Sequence, residues 1–287
     1  MVAKIPFPEY DSVQVISRLA DERVRYREFY ERIRPTWVTS AQAYVANGGC
    51  PTTSSPIDLR DYTDSEEEAA ARKDSLINLY SPTEAQFQYE ILSSLRRDHQ
   101  LIFCPSCGGH TVPGTLDHYL PKTVFPEFAV LIANLTPMCN ACQEAKGADY
   151  LTEGNQKKFI HGYYDEIDFP IYKVKIEGDY KKPGFEFEFE DGIPPQFESL
   201  VKEHVVGVNI RSRFLSYCET KYVHLLKTAH TLRVGGKEDQ LEFTISMFLV
   251  AAECNSLNCW EAIFYRAVLR SADLLAYLRY GELPSNF

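Results

Sequence analysis

The sequence predicts an α+β protein that is predominantly helical and has a small zinc-braced core near its centre. Three features of the 287-residue chain lead to this prediction. Apolar residues recur every three or four positions in both the first third and the last third, as in amphipathic helices. Two cysteine pairs lie near the middle, and two stretches of alternating apolar and polar residues follow them. We expect N-terminal helices over 1–98, the zinc-braced core over 99–165, and a β-hairpin with helices over 166–287.

The composition is that of a folded intracellular protein. Hydrophobic residues make up 45% of the chain and aromatic residues 13%, which is ample for a core. No apolar run approaches the roughly 18 residues of a membrane span. The first residues also lack a secretory signal, so we expect a cytoplasmic protein without a membrane partner. Eight cysteines in such a chain indicate metal binding or burial in preference to disulfides.

Helices account for the N-terminal region in this prediction. Apolar periodicity and capping signals predict helices over 11–34, 37–46, 65–80 and 83–97. Pro35 is expected to stop the first helix or to start the next element, because proline lacks the backbone N–H. Gly48-Gly49 ends the second, and Ser65 with Glu68 forms a capping box for the third.

The C-terminal region is predicted to start with a hairpin and continue as helices. Strands are expected over 171–177 and 185–190, with three phenylalanines on one face of the second strand and three glutamates on the other. This acidic stripe could repel DNA, receive a basic partner, or be only a solvated face. Helical periodicity begins at Val201, and further helices are expected over 241–254 and 258–280. They form either a packing domain or a dimer or partner interface.

The two cysteine pairs, Cys104-x-x-Cys107 and Cys139-x-x-Cys142, have the spacing of a tetrahedral zinc site. Four thiolates leave no open coordination position, so the predicted site is structural. Gly108-Gly109 suits the left-handed turn that such a knuckle needs. Cys254 and Cys259 lie in an apolar helical stretch and are interpreted as small buried side chains.

Asp117-His118 and Asn134 lie between the cysteine pairs and have the residue types of a metal-dependent nuclease. Phosphodiester hydrolysis needs a base to activate water and a cation to neutralise charge on the phosphate. Histidine suits base chemistry near neutral pH. Aspartate is a hard oxygen ligand that suits Mg²⁺ or Mn²⁺. His118 and Asp117 are therefore candidate catalytic residues.

These residues together resemble the HNH endonucleases, the ββα-metal nucleases with a zinc-ribbon clasp. The resemblance extends from Phe103 to Lys146 and includes the Asp-His step, Asn134-Leu-x-Pro-x-Cys139 and Lys146-Gly147. Phe159–Asp165 is similar to a stretch in one subgroup, the ATPase-associated bacterial anti-phage nucleases of the Septu type. The resemblance implies cleavage of DNA in preference to RNA, structural zinc, catalytic Mg²⁺ or Mn²⁺, and an ATPase partner. A homo-oligomer is also compatible with it.

The resemblance also implies individual roles. His118 would be the general base, Asp117 one metal ligand, and Asn134 the residue that holds the loop bearing His118. Gln143 stands where the family usually has His or Asn as the second metal ligand. Its amide oxygen is carried on a stem one methylene longer than that of Asn. The departure is compatible with an active site, with a different metal preference, or with an inactive site kept for binding.

The formal charge of −10 argues against strong intrinsic affinity for DNA. Within residues 96–161, however, six Lys and Arg balance six Asp and Glu, so the central region is neutral. A basic partner or a shape-restricted substrate could supply the remaining affinity. Lys122 and Lys146 are candidate phosphate contacts, and His110 and His161 are weaker candidate ligands. A non-catalytic zinc module and an RNA-cleaving toxin remain alternative functions.

Overall fold

The computed structural model describes residues 3–284 and confirms the α+β, mainly helical, fold class. Within that range the chain forms ten α-helices and four short strands. The helices are α1 Ser12–Glu22, α2 Arg27–Ala46, α3 Glu66–Asn78, α4 Gln88–Arg97, α5 Asn140–Lys146, α6 Pro195–Gly207, α7 Ile210–Val234, α8 Leu241–Glu253, α9 Trp260–Arg270 and α10 Ala272–Tyr280. The strands are β1 Thr115–His118, β2 Leu135–Met138, β3 Tyr172–Glu177 and β4 Gly184–Phe189.

The prediction of one helix over 11–34 is wrong, because the chain turns back between α1 and α2. Asp11 caps α1 by accepting hydrogen bonds from the N–H groups of Val13 at 2.8 Å and Gln14 at 3.0 Å. The helix ends at Glu22, and Tyr26 then adopts a left-handed conformation with φ +61°. This turn lets α1 pack against α2 and bury Ile16 and Leu19.

Pro35 does not end a helix; it lies inside α2. The side chain of Pro35 and the preceding turn at Glu31 are exposed, so the carbonyl that loses its helical partner can be hydrated. The opposite face of α2 is anchored in the core by Tyr30, Ile33, Trp37, Ala41 and Tyr44. Burial of that face outweighs the lost hydrogen bond.

The next two helices match the predictions more closely. Ser65 caps α3 by accepting a hydrogen bond from the Glu68 N–H at 3.1 Å. Glu68 completes the capping box through the N–H of Asp64 at 3.0 Å, one residue before the expected donor. Helix α4 begins at Gln88, five residues later than predicted, and ends at Arg97 as expected.

The central module is an antiparallel β1–β2 pair followed by α5. Asp117 is opposite Thr136 and His118 is opposite Leu135 in the strand register. The chain leaves β1 through a long buried loop, residues 119–134, and returns into β2. Cys139 directly precedes α5, so the second cysteine pair straddles the start of this helix.

The hairpin is present, and its acidic stripe is largely paired within the chain. Strands β3 and β4 are antiparallel, with Val174 opposite Phe187, which is buried. Glu188 forms an ion pair with Lys175, and Glu190 lies 3.2 Å from Arg270 of α9. These contacts favour an interpretation of the stripe as a solvated face.

The prediction of one helix over 258–280 is wrong, because it divides at Ser271 into α9 and α10. The Ser271 hydroxyl accepts a hydrogen bond from the Leu274 N–H at 3.3 Å, so it caps α10. Serine is favoured as a cap because its side chain replaces a missing helical acceptor. Apolar periodicity alone does not register such a break.

One buried apolar cluster runs through all three predicted regions, from Trp37 through Leu116 to Phe214. The central module is therefore packed between the N-terminal helices and the C-terminal helices. None of the helices in residues 3–284 has the length and apolar character required to cross a bilayer.

Candidate functional site

The four predicted zinc cysteines form one buried cluster. The sulfur atoms of Cys104, Cys107, Cys139 and Cys142 all lie within 4.8 Å of one another, and all four residues are buried. This cluster could hold a metal ion, and four thiolates are the donor set of a closed structural zinc site. The structure thus brings both predicted cysteine pairs together.

Backbone geometry around the first knuckle suits this role. Gly108 has φ +80°, the left-handed conformation expected after the first pair. Gly109 is tightly packed, because an added Cβ would lie 3.1 Å from the Trp260 ring, closer than most such contacts. Backbone N–H groups also donate to the sulfurs, from Gly109 to Cys107 and from Cys139 to Cys104, each at 3.4 Å. Such donors stabilise thiolates.

Arg213 of α7 reaches the cluster from a distant part of the chain. Its guanidinium Nη2 lies 3.2 Å from the sulfur of Cys142, and its Nη1 lies 3.9 Å from the sulfurs of Cys107 and Cys139. A zinc ion with four thiolates carries a net charge of −2, which a neighbouring guanidinium partly offsets. Sequence analysis did not identify Arg213, since no local pattern links it to cysteines at least 71 positions away.

Other residues of the C-terminal region hold the backbone of the first knuckle. His204 donates through Nε2 to the carbonyl of Ser106 at 2.8 Å. The Tyr172 hydroxyl donates to the carbonyl of Cys107 at 3.3 Å, and the backbone N–H of Trp260 donates to the carbonyl of Gly108 at 2.9 Å. The cysteine cluster is therefore joined to the hairpin and the C-terminal helices as well as to β2.

His118 lies at the end of β1 and is 8% exposed. Its Nε2 is 2.9 Å from the Ala129 carbonyl, which can only accept, so Nε2 carries the hydrogen. The edge of the imidazole faces Tyr80, with ring centroids 4.4 Å apart. Burial lowers the pKa of His118 to about 3, and the positive charges of Lys122, Lys146 and Arg96 act in the same direction. The imidazole is therefore neutral at pH 7.

Asp117 is buried next to a buried lysine. The ammonium of Lys146, on α5, lies 3.0 Å from Oδ2 of Asp117 and donates a hydrogen bond to the His118 carbonyl at 2.8 Å. Oδ2 has this ionic partner but no well-directed hydrogen bond among the described residues. Burial raises the pKa of Asp117, and the charge of Lys146 opposes that shift. The lysine thus balances a carboxylate that is incompletely satisfied.

Asn134 spans the loop that connects β1 to β2. Its Oδ1 accepts hydrogen bonds from the Leu120 N–H at 2.7 Å and the Tyr44 hydroxyl at 3.1 Å. Its Nδ2 donates to the carbonyls of Leu120 at 3.0 Å and Phe128 at 3.2 Å. All of these groups are buried, so Asn134 holds the chain on both sides of the loop directly after His118.

Gln143 lies on α5 beside the strand that carries Asp117. Its side-chain Nε2 donates to the carbonyl of Leu116 at 3.2 Å, and the residue is half-buried. This bond uses the amide nitrogen and does not engage the amide oxygen. Asn140, the other amide on this helix, is exposed on the knuckle.

Three further side chains surround His118, and two of them were missed by sequence analysis. The Tyr80 ring has the Lys122 ammonium 4.5 Å and the Arg96 guanidinium carbon 4.9 Å from its centroid. Tyr80 donates to the Leu116 carbonyl at 3.0 Å, which fixes it against β1. Lys122 was predicted near the site, whereas Tyr80 and Arg96 lie in helical sequence without a distinguishing signal.

The two weaker histidine candidates lie outside this group. His110 is exposed next to the cysteine knuckle. His161 is buried, with Nε2 3.0 Å from the Tyr44 hydroxyl, and its ring contacts Tyr119 at a centroid distance of 4.1 Å. Burial lowers its pKa well below the ordinary value, so His161 is a neutral core residue.

Comparisons with known proteins identify one partial relative. No protein-family model matches the sequence, and no solved structure matches it. Protein Ea31 of Escherichia phage lambda is 33% identical over 184 residues, which cover 59% of this chain and 62% of Ea31. The chain therefore spans less than two thirds of the length of this relative. What the comparisons establish is similarity to part of a phage protein.

Proposed function

We propose that this chain is a metal-dependent HNH endonuclease that hydrolyses phosphodiester bonds in DNA. The observation that carries the proposal is the meeting of Asp117 and His118 on β1 with Gln143 and Lys146 on α5, braced by four clustered cysteines. Strand β1 and helix α5 bring a base, two oxygen ligands and a cationic side chain into one small volume. This is the chemistry that phosphodiester hydrolysis needs.

His118 is the general base in this proposal. Its Nε2 hydrogen is engaged by the Ala129 carbonyl, so Nδ1 is the unprotonated nitrogen that can accept a proton from water. The lowered pKa keeps that nitrogen free of a proton at neutral pH, but it also makes the buried imidazole a weak base, so the negative charge of a bound phosphate would have to raise the pKa for efficient proton transfer. Asn134 positions the imidazole indirectly, because it ties down the loop that follows it.

Asp117 and Gln143 are the residues that would hold Mg²⁺ or Mn²⁺. The donor types fit, because a carboxylate and an amide oxygen are hard oxygen ligands and the Gln143 amide oxygen is not used in its bond to Leu116. A cation at Oδ2 of Asp117 would take the place of the Lys146 ammonium, which lies 3.0 Å away. Bound there, the cation would neutralise charge on the phosphate and on the leaving oxygen. Zinc is the ion we assign to the cysteine cluster, where it would brace the module without taking part in chemistry.

Arg96 and Lys122 are the proposed contacts to substrate phosphates. Both flank the Tyr80 ring beside His118, in a chain whose overall charge is −10. Local positive charge of this kind permits a short phosphate contact without strong affinity for duplex as a whole. A partner protein would then supply the remaining affinity.

An ATPase partner and a role as effector in bacterial anti-phage defence are proposed on the family resemblance and the acidic charge alone. Similarity to phage lambda Ea31 adds no support for this role, since that name states no activity.

A non-catalytic zinc module is the second candidate, and the Lys146–Asp117 ion pair favours it. The lysine beside the carboxylate supplies the positive charge that a divalent cation would otherwise supply. Gln143, in turn, already has a partner in the Leu116 carbonyl. A site of this kind could bind nucleic acid or protein without cleaving it.

Plasmid nicking with Mg²⁺ or Mn²⁺ separates the two candidates. We expect His118→Ala to slow cleavage by about 10²–10⁴-fold, because a general base is lost. His110→Ala is the matched control, since His110 is an exposed histidine outside the site. Zinc content should stay at the wild-type value in both variants. Thermal unfolding should be unchanged in His110→Ala, whereas His118→Ala should melt at a lower temperature because it loses the buried hydrogen bond to the Ala129 carbonyl.

Equal rates in wild type and His118→Ala would contradict the proposed mechanism. Absence of cleavage by folded, zinc-loaded wild type would instead favour the binding module. Parallel digestion of duplex DNA, single-stranded DNA and tRNA distinguishes the DNA enzyme from an RNA-cleaving toxin.

A further inference from the structure

Helix α8 is apolar on both of its faces, although only one of them is covered. Leu241, Ile245 and Ala252 point into the protein and are buried. On the opposite side Phe243 is 68% exposed, Met247 50% and Val250 54%. A helix that is apolar all round is normally buried on all sides. We therefore infer that a partner covers the outer face of α8.

The exposed side chains form one continuous stripe. Cys254 is exposed, so the prediction that it is buried is wrong, whereas Cys259 is buried as predicted. Phe243, Met247, Val250 and Cys254 are separated by four, three and four positions, which places them in a single row along the helix. We call this row the α8 stripe. It contains no charged residue, and Phe248 extends it on one side with 39% exposure.

The size of the stripe suits a protein interface. The exposed fractions of these side chains correspond to roughly 400 Å² of apolar surface, comparable with the largest and often functional patch of a typical monomer. Two such stripes facing each other bury roughly 800 Å² in total, which suits a weak, concentration-dependent interface.

We propose that the α8 stripe is a homodimer interface, in which α8 packs antiparallel against α8 of a second copy. A two-fold axis between Met247 and Val250 would pair Phe243 with Cys254 of the second copy, and Met247 with Val250. Each large side chain then meets a smaller one, and the same pairing repeats on the other side of the axis. A surface that is complementary to itself in this way identifies the second copy as the occupant.

The charges beside the stripe agree with the antiparallel arrangement. Glu242 would face Asn255 of the second copy, and Glu253 would face Thr244, so no like charges meet. Both glutamates are also paired within their own chain, to Arg279 at 2.8 Å and to Arg266 at 2.7 Å. A parallel arrangement would set Phe243 against Phe243 and Glu242 against Glu242. The antiparallel dimer therefore avoids the like-charge contact of the parallel one.

Sedimentation analysis of the full chain tests the interface independently of any nuclease activity. We expect wild type to reach twice the mass of one chain as concentration rises. Met247→Glu should raise the dimer dissociation constant by about 30-fold or more, because it places a charge in the centre of the apolar contact. Val206→Glu is the matched control, since Val206 is 74% exposed on the unrelated helix α6. A wild type that stays monomeric would overturn the proposal and assign the stripe to a different protein.

Cysteine cross-linking tests the orientation. In the antiparallel dimer the two copies of Cys254 lie about 16 Å apart along the helices, too far for a disulfide. Phe243→Cys brings the new thiol opposite Cys254 of the second copy. Oxidised glutathione should then convert the two thiols to a disulfide. It takes up the two electrons and two protons that the thiols lose, and is itself reduced to two molecules of glutathione. Phe243→Ser is the control.

Covalent dimer in Phe243→Cys, and not in wild type or Phe243→Ser, supports this arrangement. Covalent dimer of wild type through Cys254 would overturn it in favour of a parallel pair. No covalent dimer in Phe243→Cys would overturn it as well.

Discussion

The cysteine cluster and the Asp117–His118 site share β1, β2 and α5, yet their polar groups are satisfied to different degrees. Around the cysteines, backbone N–H groups and Arg213 all direct positive charge at the sulfurs. Around Asp117, by contrast, a carboxylate oxygen is left without a directed hydrogen bond beside a single lysine. A site whose polar groups all have partners, such as the cysteine cluster, suits a structural role. A site with an incompletely hydrogen-bonded oxygen, such as that of Asp117, can still accept a ligand.

The two sites also depend on different parts of the chain. The cluster is supported by His204, Arg213 and Trp260 of the C-terminal helices. The Asp117–His118 site is supported from the other side, by Tyr44 and Tyr80 of the N-terminal region. The comparison predicts that damage to the cluster unfolds the module, while damage near Asp117 has smaller and more specific effects.

Loss of one cluster cysteine should have the largest effect. Cys142→Ser is expected to release zinc and unfold the central module, because structural zinc contributes on the order of 10 kcal/mol of folding free energy. Zinc content and thermal unfolding measure this, with the exposed Cys254→Ser as control. Retention of zinc and of the wild-type melting temperature would show that the cluster is not a metal site.

Removal of the lysine charge should destabilise the protein without releasing zinc. Lys146→Met leaves Asp117 charged and buried without a partner, which costs about 3–5 kcal/mol. The double variant Lys146→Met/Asp117→Asn should recover most of that loss, because the uncompensated charge is gone. Denaturant unfolding of the three proteins tests this. An unchanged free energy of unfolding in Lys146→Met would show that the ion pair is not buried as described.

Glu127, in the loop after His118, should make stability depend on pH. It is fully buried, and burial raises its pKa to about 7, against the opposing effect of the Ile57 N–H that donates to Oε1 at 3.0 Å. The stability it contributes is fully present below its unfolded pKa of about 4.5 and is lost as pH rises to about 7.

Glu127→Gln cannot ionise, so its free energy of unfolding relative to wild type should rise by about 3 kcal/mol between pH 4.5 and 7. Unfolding measured across this range tests the prediction, with exposed Glu144→Gln as control. A difference independent of pH would contradict it.

Replacement of Arg213 should have the smallest effect. Arg213→Met is expected to lower zinc affinity by about 10–100-fold, since residues next to metal ligands tune affinity by that amount. Competition with a chelator measures this. Arg211→Met, an exposed arginine on the same helix, should have no effect. Equal zinc affinities in the two variants would show that Arg213 does not stabilise the metal site.

The clustering of the four cysteines could be predicted from sequence, while the residues that support the two sites could not. Cysteine spacing and the Asp117-His118 step are local patterns, and the fold class follows from periodicity. Arg213 and Tyr80 contact the sites only through tertiary packing, across 71 and 36 positions respectively. Pro35 was placed at a helix boundary and the break at Ser271 was not predicted, because the burial of one helix face and a single capping bond outweighed the local pattern.

The backbone of the first knuckle accepts hydrogen bonds from His204, Tyr172 and Trp260, and this has a practical consequence for protein engineering. A fragment cut out at 99–165 would lose those contacts on one flank and the Tyr44 hydroxyl on the other. It would also bare apolar surface on both flanks. We therefore expect that residues 99–165 will not fold when they are transferred alone into another protein. Truncation studies should keep both helical flanks.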